Sequence, residues 1–277
     1  MRLIFALVAV LMTMSVNAQD LSVMTYNLRL DLESDKVNAW SNRKEEAIQL
    51  ILNYAPDVLG VQEPVPGQMR DLRTALVSYG DLGVARDDGK DKGEYSAIFY
   101  KKEVLDVVKT GTFWLSETPE RPSKGWDAAY NRICTYALFK TKKGNQHFWA
   151  FNIHFDHVGD EARKNSAKLL LEKIKTFNTK NYPVVLTGDF NLTDETEPIK
   201  ILSHDLKDSF YHSKKKPYGP KGTFQAFDTT VPASERIDYI FTKGFSVETL
   251  TTIDDRRENL LYPSDHYPVL AELKFQK

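Results

Sequence analysis

The stretch "VVLTGDFN", residues 184–191, follows a proline and runs from three apolar residues into Gly188, Asp189, Phe190 and Asn191. A short apolar run bounded in this way reads as a buried strand. On an extended chain, residues two apart project to the same face. Asp189 and Asn191 are therefore expected to set a carboxylate beside an amide where the strand leaves the core. Turn chemistry explains such a pair in isolation, since Asp and Asn cap loops widely. A site for a hard metal ion and a phosphate group explains it as well. The rest of the chain decides between them.

The pattern recurs. Apolar segments rich in β-branched and aromatic residues occupy 21–30, 58–62, 95–100, 133–139, 148–155, 184–190, 237–241 and 268–275. Nearly every one ends at, or is interrupted by, a residue able to bind metal or phosphate. "MTYNL" supplies Asn27, "VLGVQE" supplies Glu63, and "FNIHFDH" supplies His154 with Asp156 and His157 beyond it. "RIDYIF" supplies Asp238, and "SDHYPV" supplies Asp265 and His266. Taking charge out of water is costly, so ionisable groups emerging from core strands need partners. One shared cluster explains these residues better than a series of unrelated caps.

Helical periodicity lies between some of these strands. Residues 42–54 begin at Asn42 with Glu45 three positions on, a capping-box pattern, and place Ala47, Ile48, Ile51 and Leu52 on one face. Residues 68–79 carry Met69, Leu72 and Leu76, and residues 160–177 carry Leu169, Leu170, Ile174 and Phe177 at helical spacing. No linker, low-complexity tract or repeat divides the chain. The expectation is one α/β domain of two packed sheets over residues 20–277. Residues 1–19 stand apart. Arg2, the run "LIFALVAVLMTMSV" and the small residues Val16 and Ala18 match a secretory signal peptide. The run is too short to cross a bilayer comfortably. The chain is therefore expected to be exported, to periplasm or medium, without a transmembrane anchor.

Composition narrows the function. The chain is 42% hydrophobic and 27% charged, ordinary for a protein that buries a core. Without Arg2 it carries 36 basic against 38 acidic residues, so it lacks the basic excess of strong non-specific nucleic-acid binders. "KKK" (214–216) and "RR" (256–257) read as solvated loop runs. Cys134 is the only cysteine, which excludes an intramolecular disulfide, and within "ICTYALF" it reads as a buried, inert thiol. Glu94 and His157 read as structural. Within 113–139, Trp114, Ser116, Trp126, Asn131 and Arg132 are candidates for a recognition rim. There Trp126 would stack on a ring and Arg132 would grip a phosphate oxygen. A tryptophan-anchored loop packed for stability is the alternative.

The ordered set from "TYN" (25–27) through "QE" (62–63) and "GDFN" (188–191) to "SDH" (264–266) resembles the endonuclease/exonuclease/phosphatase superfamily, and within it small exported bacterial members. The resemblance implies a four-layered α/β sandwich with the site where strands of both sheets converge. It implies Glu63 as principal metal carboxylate, with Asn27 and Asp265 completing or supporting the shell. Oxygen ligands of this kind suit Mg²⁺ or Mn²⁺. Asp189 and Asn191 resemble the pair that handles the attacking water and a phosphate oxygen. His266 resembles an active-site histidine oriented by Asp238, and His154 a second histidine that donates to the phosphoryl group. Either Asp189 or His266 would take the proton from water. The expected partner is a phosphate ester, with phosphodiester hydrolysis the leading reaction and no obligatory protein partner. A nuclease, a phosphatase or lipid-headgroup phosphodiesterase, and a catalytically silent binding module are the rival readings.

Overall fold

The computed structural model describes residues 20–276, so the leader expected over 1–19 lies outside the described residues. The chain runs β1 (Asp20–Asn27), α1 (Lys44–Tyr54), β2 (Val58–Gln62), α2 (Pro66–Ala75), β3 (Tyr79–Leu82), β4 (Ser96–Lys101), β5 (Leu105–Trp114), β6 (Ile133–Thr141) and β7 (His147–His154). It continues through α3 (Asp160–Phe177), β8 (Val184–Asp189), α4 (Glu197–Asp205), β9 (Lys207–Asp208), α5 (Ser209–His212), β10 (Asp238–Lys243), β11 (Phe245–Thr252) and β12 (Val269–Phe275). Two six-stranded sheets result, ordered β11-β12-β1-β2-β4-β3 and β5-β6-β7-β8-β10-β9. Each is mixed: β1–β2 and β7–β8 are parallel, while the other pairings are antiparallel. Among the described residues no helix is long and apolar enough to cross a membrane.

Strand periodicity builds the layers. Leu21 and Val23 point between the sheets and meet Ala137, Phe148, Val185 and Ile240. Met24 and Tyr26 lie on the other face with Ile48 and Ile51 of α1 and Met69 and Leu72 of α2. In the second sheet, Phe151, Ile153 and Leu186 pack outward on Leu170 and Ile174 of α3 and Ile199 and Leu202 of α4. The order is helix, sheet, sheet, helix. This is the expected four-layered α/β sandwich.

The eight apolar segments of the sequence are the eight inner strands. The four strands that it does not disclose, β3, β5, β9 and β11, are the four sheet edges. Inner strands are covered on both faces and read as apolar runs. Edge strands are short, half-solvated or bulged, as at Val107/Lys109 in β5 and Val247/Thr249 in β11. Helix α3 occupies its expected range, but the other two shift. The capping box at Asn42 does not form: Asn42 Nδ2 donates to the Lys36 carbonyl, and α1 starts at Lys44. Helix α2 starts earlier, at Pro66, where a missing N–H costs nothing, and stops at Ala75, because Tyr79 enters β3.

Toward the top of the sandwich the slab between the sheets turns polar. Gln62 Nε2 donates to Thr25 Oγ1 at 3.1 Å and to Asn152 Oδ1 at 2.6 Å. Thr187 Oγ1 donates to the same Asn152 oxygen at 3.0 Å. Asn152 Nδ2 donates to the carbonyls of Val61 and Ala97 on the opposite sheet, each at 2.9 Å. Gly60 leaves the room for this, since a Cβ there would lie 2.3 Å from Thr187 Oγ1. Thr25, Asn152 and Thr187 each sit two residues below a strand-end site residue, on the same strand face.

Two buried arginines fasten the loops above β1. Arg43 donates to the carbonyls of Asn38, Leu28, Pro263 and Arg29 at 2.6–3.0 Å. Arg257 does not belong to a solvated run as expected. It is buried and donates to the Val37 and Asn42 carbonyls and to Asn38 Oδ1, whereas its neighbour Arg256 is exposed. Replacing Arg43 by alanine would leave four carbonyls without their donor, two of them in fully buried surroundings. We expect it to lower unfolding free energy by about 3–5 kcal/mol in urea titrations, with a loss under about 1 kcal/mol refuting its buttressing role. Cys134 is buried as expected, and burial raises its thiol pKa well above the usual value, which keeps it inert.

Candidate active site

Sheet register assembles the site. His154 lies beside Asp189 in the β7–β8 pairing, and Asp189 lies opposite Asp238 in the β8–β10 pairing. These three form one row across the top of the second sheet. Asn27 ends β1, Glu63 follows β2, and Asp265 and His266 precede β12, so the first sheet supplies the facing half. The extended-chain reading of Asp189 and Asn191 fails in one respect. Asn191 has φ 51°, and its backbone N–H donates to Asp189 Oδ1 at 2.9 Å, so the pair is joined by a turn. Turn chemistry is what holds Asn191 against Asp189.

Asp189 is the hub. Its Oδ2 accepts from Asn27 Nδ2 at 2.9 Å and lies 3.6 Å from His154 Nε2 and 3.7 Å from His266 Nε2. Asn27 Nδ2 also donates to Glu63 Oε1 at 2.9 Å, so one amide ties carboxylates from the two sheets. The Leu30 N–H donates to Glu63 Oε2. Asn27 Oδ1 already accepts from the Arg29 N–H, leaving one lone pair for any metal. Glu63 has φ 72°, which a side chain of this size adopts only under constraint from its surroundings, a mark of functional positions.

The histidines differ. His266 Nδ1 is 2.8 Å from Asp238 Oδ2, with both groups buried. Burial disfavours the charged ring, but Asp238 and Asp189 outweigh it and raise the pKa well above the ordinary value. His154 goes the other way. Burial lowers its pKa, and Arg132, Arg86 and His266 add to the effect. Asn191 Nδ2 reaches His154 Nε2 at 3.0 Å and donates to the Phe155 carbonyl at 3.1 Å. Asn191 Nδ2 is thus placed to donate to the neutral His154 ring.

The donor set fits a hard divalent cation. Glu63, His154 and Asp189 each offer one atom within 4.8 Å of the others, as do Asp189, Asp238 and His266. Burial pushes the Asp189 carboxyl up to about 7, against the pull of His266 and with help from Asp238. Burial likewise takes Asp265 up to about 6, with Glu63 adding to the rise. Asp238 Oδ1 has no hydrogen-bond partner among the described residues. Crowded buried carboxylates of this kind are what a cation relieves. Asp265 stands outside both tight groups and meets Arg29 Nη1 at 3.7 Å.

These groups open into a cleft of about 700 Å³, walled also by Arg29, Arg86, Glu94, Tyr130, Arg132 and His157. Asn27 and Asp238 lie behind this wall. Trp126 is half-buried and outside the lining, so it does not occupy the expected ring-stacking place. Glu94 and His157, read as structural, face the cleft. Arg29, Arg86 and Tyr130 were not disclosed by the sequence, although Arg29 sits two residues past Asn27. Asp156 fastens this wall, accepting from the N–H groups of Ala129, Val158 and Gly159 and from Arg132 Nε at 3.3 Å. Burial opposes its charge, but those donors hold its pKa far below the usual range. A groove of about 860 Å³ at the opposite end of β8, around Tyr182 and Lys243, lacks any such convergence.

The Endonuclease/Exonuclease/phosphatase family model matches residues 24–266. A family protein from Bacteroides thetaiotaomicron superposes with a TM-score of 0.89 and 40% identity, covering 94% of this chain and 99% of that one. A mannosyl-6-phosphatase of the same organism superposes with a TM-score of 0.88 and 41% identity, covering 92% of this chain and 100% of that one. A CCR4-Not complex 3'-5'-exoribonuclease subunit from Mycosarcoma maydis is 24% identical over 86% of this chain. The chain spans 65% and 47% of the lengths of the first two curated relatives that it matches, the second being that subunit.

Proposed function

Because the chain belongs to the endonuclease/exonuclease/phosphatase family, we propose that it is a divalent-metal-dependent phosphatase acting on a phosphorylated sugar. The observation that carries the reaction is the convergence of Asn27, Glu63, His154, Asn191, Asp238, Asp265 and His266 around Asp189. A silent binding module has no need of a complete set. Mg²⁺ is the proposed ion, held by Glu63 and Asp189 with Asp265 alongside, and when bound it polarises the phosphoryl group and offsets its charge. Asp189, fixed from both sides by Asn27 and the Asn191 N–H, orients the attacking water and accepts its proton, while the bond from phosphorus to the sugar oxygen breaks and that oxygen leaves as a hydroxyl protonated from water. Asp238 holds the His266 ring so that its Nε2–H donates to a phosphoryl oxygen as charge shifts onto it. Asn191 and neutral His154 hold that side of the cleft without adding negative charge.

The monoester preference rests on the mannosyl-6-phosphatase likeness, which spans nearly the whole of both chains. It departs from the diester that leads on sequence grounds. A monoester carries close to two negative charges near neutral pH, and the cleft presents Arg29, Arg86 and Arg132. The amino-terminal pattern supports export of the mature enzyme. With Mg²⁺ present, kcat/KM for mannose 6-phosphate should exceed that for bis-p-nitrophenyl phosphate by about a hundredfold, assayed side by side on purified protein. A reversed preference would return the reading to a diesterase.

A further inference from the structure

One wall of the cleft carries an exposed aromatic side chain. Tyr130 keeps 52% of its surface exposed, although it is large and apolar. It is not a loose side chain. Its ring stacks on His157 with centroids 5.9 Å apart and planes 20° from parallel, and the Arg86 guanidinium lies 5.0 Å from its centre. His157 is held in turn by Arg132 Nη2, which reaches its Nδ1 at 3.1 Å. The backbone beneath is fixed through Asp156, and the Arg86 carbonyl accepts from Trp114 Nε1 at 2.6 Å.

The two arginines have capacity to spare. Arg86 donates through Nη1 to Glu94 at 2.5 Å, and Arg132 through Nε to Asp156. Arg86 Nε and Arg132 Nη1 are buried and find no hydrogen-bond partner among the described residues. A pre-set aromatic surface beside two guanidinium groups that line the same cleft matches one chemical shape. A pyranose ring has a C–H face that packs on an aromatic ring and a rim of hydroxyls that accept hydrogen bonds.

We propose that Tyr130, stacked on His157, seats the sugar ring of the leaving group, while Arg86 and Arg132 donate to its hydroxyls. This rests on the sugar-phosphatase reading and assigns to Tyr130 the stacking role expected of Trp126. Rigid aromatic contacts of this kind confer selectivity at small entropic cost. The Tyr130→Ala substitution changes an exposed side chain and leaves the core intact.

The test compares mannose 6-phosphate with glycerol 3-phosphate, which has no ring. Tyr130→Ala should lower the ratio of their kcat/KM values about tenfold, mainly through KM for the sugar, whereas Tyr130→Phe should restore the ratio. A parallel measurement by ligand-observed NMR follows methyl mannoside, which has no phosphate to hydrolyse. It should bind the wild-type protein and lose that binding in Tyr130→Ala. If both substrates suffer equally in Tyr130→Ala, the subsite is wrong and the phosphatase reading stands. If no monoester is hydrolysed but the glycoside binds through Tyr130, the phosphatase reading is wrong and the subsite stands. Absence of both turnover and glycoside binding overturns both.

Discussion

Replacing His266 by alanine is expected to lower kcat by roughly two to four orders of magnitude, the range typical of losing a positioned acid–base group. The ring is buried, its Nδ1 lies 2.8 Å from Asp238 Oδ2, and its Nε2 faces Asp189 at 3.7 Å. Asp238→Asn should cost less, because an amide can still hold the ring but no longer favours its charged form. Groups that act as one device lose activity non-additively. The double variant should therefore be little worse than His266→Ala alone. A double-mutant cycle measures this, with circular dichroism confirming that each variant folds. Additive losses would separate the two residues. Near-normal activity in His266→Ala would remove the histidine from the reaction.

Removal of divalent cations should abolish turnover outright, and Mg²⁺ or Mn²⁺ should restore it. Glu63, Asp189, Asp238 and Asp265 crowd into one largely buried space, where burial, with Asp238 adding to it, raises the Asp189 carboxyl to about 7. Oxygen donors without a cysteine–histidine cage favour a hard ion. Glu63→Gln keeps the shape of the side chain and the hydrogen bond from the Leu30 N–H, but gives up a charge and the bond from Asn27 Nδ2. It should raise the cation concentration for half-maximal activity by at least about tenfold, while urea unfolding shifts little. Undiminished turnover after exhaustive chelation would rule out the metal mechanism.

The parts of this molecule that are legible in the sequence share a physical cause. Strands such as Val184–Asp189 are covered on both faces, so each polar residue in them stands out against an apolar run. That contrast made Asn27, His154, Asp189 and Asp238 visible. The edge strand Leu105–Trp114 has one side in water and a bulge at its centre, and its residues carry no comparable contrast. Arg43 was hidden for a different reason. Its partners are four backbone carbonyls brought together from distant parts of the chain, and carbonyls leave no mark on a sequence. Tyr130 and His157 are 27 positions apart and meet only because Asp156 draws two loops together. Trp126 is a stacking candidate by residue type, and its place outside the cleft lining comes from loop geometry, which a list of residue types does not contain.

The hydrogen-bonded layer of Thr25, Gln62, Asn152 and Thr187 solves a problem of alignment. Apolar attraction has no direction, so two greasy sheets could settle against each other at many offsets with similar energy. Hydrogen bonds do have direction, and Asn152 reaching to Val61 and Ala97 indexes one sheet against the other much as a pin indexes two plates. Slip by a single residue, about 3.3 Å along a strand, would carry Asn27 out of reach of Asp189. The divided origin of the catalytic groups is thus tolerable only because the plates cannot slide. Below the pin, apolar side chains are free to drift in size and identity. Above it, the rim can be rebuilt for other leaving groups, and the spacing of the chemistry is preserved through both kinds of change.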